Sequence, residues 1–107
     1  MGHAVHKLLI ATGLVAACAL PAAAAGATHT VKIEGMQYLP ATLTVKRGDK
    51  VVWQNTDVVP HTATAKGAFD SGPIAAGRSG SRTMGKAGRF DYVCTFHPGM
   101  KAVVVVQ

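Results

Sequence analysis

Near the carboxyl terminus the chain reads Cys94-Thr95-Phe96-His97-Pro98-Gly99-Met100. A thiol, an imidazole and a thioether recur every three residues. With a proline and a glycine inside it, the stretch reads as a tight loop between strands, so its three donors can turn toward one point. His61, in Val59-Pro60-His61-Thr62, can join them where the end of its strand lies beside that loop. A thiolate, two imidazoles and a weak thioether form the ligand set of an electron-transfer copper site. Thiolate and thioether favour Cu(I), imidazole accepts both oxidation states, and a geometry between those preferences limits rearrangement when an electron moves. Hydrolytic metal chemistry needs an open position for water or substrate. This set leaves none short of displacing the methionine, so an electron carrier is favoured over an enzyme.

Taken singly, each residue has a plainer reading: Cys94 as a small buried hydrophobe, His61 as a loop histidine, Met100 as core filling. The joint pattern carries the assignment. Other residues of suitable type read as structural. His29 reads as a solvated strand end rather than a ligand, Met36 and Met84 as packing, Trp53 as core, and Tyr92 as an inward-facing structural ring.

The elements that must position these donors are short strands. From Thr28 onward apolar residues recur with period two: Val31 and Ile33, Leu43 and Val45, Val51 and Trp53, then Phe90, Tyr92 and Cys94 with Asp91 on the opposite face. Arg47-Gly48-Asp49-Lys50 has hairpin-turn chemistry and predicts that the strands on either side of it pair. Ser71-Gly72-Pro73, Ala76-Gly77, Ser79-Gly80 and Gly85-Lys86-Ala87-Gly88 cut the middle into pieces that suit turns, loops and strands. Ala102 to Val106 is a β-branched run suited to a buried strand. The expected fold is all-β, a Greek-key β-sandwich of seven to eight strands, with no internal repeat and no second domain.

Of the 107 residues, 49% are hydrophobic and 15% charged, which suits one small domain. Eleven Lys+Arg against five Asp+Glu give a formal charge of +6, but the basic residues are scattered and aromatics are only 6%, which argues against a nucleic-acid groove. Residues 1–25 read as an export signal: a basic start through Lys7, a charge-free apolar run from Leu8 to Leu20, then Pro21 and four alanines. Residues 26–107 are then the working domain, periplasmic, with His3, His6 and Cys18 removed. A second reading makes Val15-Ala16-Ala17-Cys18 a lipobox, leaving a lipoprotein anchored to the membrane through Cys18. No C-x-x-C-H occurs, so covalent haem is excluded.

The sequence resembles the cupredoxins, the small blue copper proteins, and is most similar to their plastocyanin and amicyanin branch. The resemblance is carried by Met36 to Pro40, Val45 to Asn55, Pro60-His61, and Gly88 through Met100. It implies one type 1 copper ion, with His61, Cys94 and His97 as strong equatorial ligands and Met100 as the long axial one. It further implies a monomeric carrier of single electrons between a donor and an acceptor protein, meeting them at an apolar patch of Pro60, Phe96, Pro98 and Gly99 around His97. The positive charge suits an acidic partner, steered by Lys46, Arg47 and Lys101. Thr62 stands where the family often has an asparagine that ties the ligand loops together, and Phe96 and Gly99 replace a proline and a bulky residue. Competing readings are a copper chaperone or storage protein, a structural zinc domain, for which methionine is a poor ligand, and a metal-free immunoglobulin-like module.

Overall fold

The computed structural model describes Gly13 and residues 26–107. Apart from Gly13, the expected export signal, Cys18 included, lies outside the described residues. Nine strands are present among those described: β1 Thr28–Glu34, β2 Gln37–Leu39, β3 Thr42–Val45, β4 Lys50–Asn55, β5 Thr64–Ala65, β6 Phe69–Asp70, β7 Ser79–Thr83, β8 Gly88–Val93 and β9 Lys101–Val106. They form two mixed sheets, ordered β2-β1-β4-β7 and β3-β9-β8-β5-β6. The expected seven to eight strands become nine because β5 and β6 are two-residue ladders around a turn.

Alternation decides what faces inward. Val31 and Ile33 of β1, Val51 and Trp53 of β4, Tyr92 of β8, and Ala102, Val104 and Val106 of β9 are buried between the sheets, while intervening residues face outward. Trp53 packs against two of the core rings, 5.5 Å from Phe69 and 5.6 Å from Tyr92 between ring centroids. Met84 is buried, as expected of a packing residue.

The Arg47–Lys50 segment corrects the sequence expectation. β3 and β4 do not pair; β3 lies parallel to β9 in one sheet, and β4 pairs with β1 and β7 in the other. Alternation places Val45 and Trp53 inside, but it cannot distinguish neighbours in one sheet from strands facing each other across the core. The turn carries the chain between sheets, with Gly48 at φ 95° and the Asp49 carboxylate accepting the Lys46 N–H at 3.0 Å.

Two further expectations change. His29 is pinned rather than freely solvated, its Nε2 lying 2.8 Å from Asp49 Oδ2. Met36 is not packing: it is 40% exposed in the two-residue turn of the β1–β2 hairpin, where both Gly35 and Met36 have φ of 61°. That is the left-handed geometry which twisted hairpins require.

Candidate metal centre

Strand β8 delivers Cys94 at its end, fully buried, and the loop from Cys94 to Met100 folds back to begin β9. Three backbone bonds tighten that loop: His97 N–H to Cys94 O at 3.2 Å, Met100 N–H to His97 O at 2.8 Å, and Cys94 N–H to Met100 O at 3.2 Å. The three-residue spacing thus becomes a compact coil that brings the Cys94 and His97 side chains together. Met100 is buried at its close. His61 arrives from the other side, its backbone bridged antiparallel to Ile74, and has no exposed surface.

The donor atoms of His61, Cys94 and His97 lie within 4.8 Å of one another. Cys94 Sγ is 3.7 Å from His61 Nδ1 and 3.8 Å from His97 Nδ1. A metal bound to a thiolate at about 2.3 Å and an imidazole at about 2.05 Å, with the two 120° apart, separates those atoms by about 3.8 Å. Both sulfur–nitrogen separations therefore match a metal held between the thiolate and each imidazole. The loop's remaining soft donor type, the thioether of Met100, suits copper better than zinc.

The surroundings fix which atoms face inward. Asp57 Oδ2 lies 2.8 Å from His61 Nε2. The Asp57 carboxyl is held below its usual range, first by the Met36 N–H and further by the Gly35 N–H and His61. An ionised carboxylate only accepts, so Nε2 carries the proton and the Nδ1 lone pair points at the cluster. The Gly35 and Met36 N–H groups hold the two carboxylate oxygens at 2.7 and 3.0 Å. Asn55, fully buried, fixes the loop between them, donating to Val59 O and Ile74 O and accepting the Asp57 N–H.

Thr62 joins the two ligand segments. Its N–H points at Cys94 Sγ from 3.4 Å, which favours the thiolate, and its hydroxyl accepts the Thr95 N–H at 2.9 Å. The tie usually supplied by asparagine is thus made by a shorter side chain and a backbone group. Tyr38 donates its hydroxyl to Thr62 O, and burial, with Cys94 and Tyr92 nearby, pushes the Tyr38 phenol well above its ordinary value. His97 is half-buried, and Val58, Val59 and Phe96, next to the two histidines in sequence, are exposed at 92, 38 and 49%.

The sequence reading missed Asp57. Its only local signal is an acidic residue four positions before a candidate ligand, and that spacing becomes meaningful only when the intervening loop curls back.

Comparison with known proteins settles the family. The profile of the copper binding proteins of the plastocyanin/azurin family matches residues 24–107. This chain belongs to that family. Among its relatives is amicyanin of Paracoccus versutus, 36% identical over 99 residues, covering 87% of this chain and 72% of that protein. Another is amicyanin-alpha of Methylorubrum extorquens, 36% identical over 110 residues, covering 91% and 88%. A solved Cu(I) form of an amicyanin variant superposes with a TM-score of 0.69 at 32% identity, covering 82% of this chain and 88% of that one. A copper-containing nitrite reductase from Thermus scotoductus shares the fold at a TM-score of 0.68 and 26% identity, but this chain covers only 22% of it. The cupredoxin chain is thus a copper-binding β-sandwich of the amicyanin type, matching one part of that larger enzyme.

Proposed function

We propose that this cupredoxin is an electron carrier in which His61, Cys94, His97 and Met100 hold one type 1 copper ion. The observation that carries the reading is the separation of Cys94 Sγ from the two Nδ1 atoms, 3.7 and 3.8 Å, in a pocket where Asp57 already orients the His61 ring. Bound copper supplies a one-electron couple between Cu(I) and Cu(II). The chain's own residues do the rest. Cys94 and His61, both without exposed surface, keep water from the thiolate and the ring. The Thr62 N–H favours the ionised sulfur, and Asp57 holds the His61 proton on Nε2, away from the metal side.

Four protein donors would fill the coordination positions a substrate needs, which supports a carrier rather than an enzyme. His97, half-buried at the surface, is the edge through which an electron passes to a docked protein. Exposed Val58, Val59 and Phe96, with Pro60 and Pro98, offer a small apolar contact suited to brief redox encounters. The basic and apolar amino-terminal pattern supports export to the periplasm as residues 26–107, a monomer that meets a donor and an acceptor in turn.

Titration of residues 26–107 with Cu(II), beside Cys94→Ser, tests the site. An intense blue charge-transfer band that saturates at one equivalent and is absent from the variant is expected. A colourless product, or colour that survives loss of Cys94, overturns the assignment. Intact mass of the exported protein reads the processing: removal of residues 1–25 is expected, and a lipid-sized addition on Cys18 refutes the soluble form.

A further inference from the structure

A second surface lies away from the copper ligands, at the open seam where the edge strands β6 and β7 of the two sheets approach each other. There the β5–β6 turn, the end of β7 and the start of β8 enclose a groove of about 350 Å³. Its apolar lining comes from Phe69, Met84 and Phe90, and its rim carries Lys66, Arg82 and Lys86. None of the chain's five acidic residues lines it. The four ion pairs found among the described residues involve none of the three cations. Arg82 has one neutral partner, donating to Ala68 O at 3.3 Å, which draws its guanidinium across the seam. Three cations beside an aromatic surface, with no carboxylate to offset them, form a local positive field over an apolar contact.

The groove is also connected to the candidate copper site. Phe90, Tyr92 and Cys94 share one face of β8 and its continuation, and the Phe69 ring lies 6.3 Å from Phe90 and 6.0 Å from Tyr92. Phe90 is four residues from Cys94, or roughly 13 Å along an extended strand. A protein seated in the groove therefore rests on the strand that ends at the thiolate.

We propose that this groove is a second docking surface, separate from the His97 face, for a partner protein that presents carboxylates beside an apolar side chain. Charge complementarity selects the occupant: a second copy of this chain, formally +6, is repelled. The proposal rests on the electron-carrier reading for its purpose. In that role a reduced partner centre would give up one electron to copper held by the ligand cluster, while the His97 face stays free for the other partner.

The test uses the copper-loaded protein in its Cu(I) form, ¹⁵N-labelled and titrated with an acidic peptide, Glu-Asp-Phe-Glu-Asp-Leu-Glu-Glu, at low salt. Amide shifts are expected at residues 66–69, 82–86 and 90, with residues 95–100 unmoved. Lys66→Glu/Lys86→Glu is expected to weaken binding about tenfold, since two attractive rim charges become two repulsive ones. Lys32→Glu/Lys101→Glu, with the same net charge, is expected to change it less than about threefold. Equal weakening by both pairs, or shifts spread over all lysines or centred on residues 95–100, overturns the proposal. So does binding to phosphatidylglycerol vesicles without peptide shifts in the groove, which makes the patch a membrane contact. The blue band of the Cu(II) form reads the copper site independently. A blue protein with an unresponsive groove defeats only this inference, whereas a colourless one defeats the carrier reading.

Discussion

Asp57 shows how a residue that touches no metal can decide what a ligand does. Its carboxylate is fixed by two turn N–H groups and accepts from His61, so the ring can neither rotate nor exchange tautomers without breaking a charge-assisted bond. A carboxylate behind the ring also makes the imidazole a better donor and favours the more highly charged ion. Asp57→Asn keeps the size of the side chain but removes that charge. The expected result is a protein that still turns blue, binds Cu(II) about 10- to 100-fold more weakly, and has a more positive reduction potential. Competition with a Cu(II) chelator and voltammetry read the two effects; wild-type affinity with an unshifted potential would reduce Asp57 to a loop pin.

At the scale of elements, the β1–β2 hairpin carries the chain's one left-handed non-glycine residue among those described, Met36 at φ 61°. A side chain with a Cβ pays about 1–2 kcal/mol for that conformation, partly recovered here through the Asp57 bond to its N–H. Met36→Gly is expected to stabilise the protein by about 1 kcal/mol, less the greater freedom glycine has in the unfolded chain. Urea unfolding checks this as a higher midpoint at unchanged slope. A lower midpoint would mean that the exposed methionine covers apolar surface near the loops. The same hairpin supplies both N–H groups that hold Asp57, so a strand turn distant in sequence sets the orientation of a ligand ring.

Across the whole molecule, Asp49 fastens the far end of the sandwich. It is 6% exposed and accepts from Ala27 N–H at 2.9 Å, Lys46 N–H at 3.0 Å and His29 Nε2 at 2.8 Å, which joins the start of one sheet to the turn leaving the other. The Lys46 N–H first, then His29 and the Ala27 N–H, hold its pKa below the ordinary 3.8. A carboxyl with a depressed folded value stabilises the fold fully above its unfolded value, and that stability is lost as pH falls through the folded value. Wild type is therefore expected to exceed Asp49→Asn in stability by a constant margin near neutrality, narrowing below about pH 4. Urea midpoints of both proteins between pH 3 and 7 check this. A margin that is flat throughout, or that widens in acid, contradicts the role.

What could be read from residues alone was whatever depends on chemical type and local spacing. Cys94 and His97 are close in sequence, so their meeting needed only a tight loop, and the donor types of that loop already selected copper. Period two fixed which side chains face inward, and Val31, Trp53, Tyr92 and Val104 are buried as that period requires. Alternation carries no information about which strand lies beside which, so only the tertiary structure decided that β3 and β4 belong to different sheets. For the same reason the reach of Asp57 to His61, the two bonds by which Thr62 replaces an asparagine, the outward placement of Met36 and the meeting of Lys66, Arg82 and Lys86 at one seam belong to the folded chain. Each is a contact between segments whose separation is set by packing, and side-chain type does not encode it.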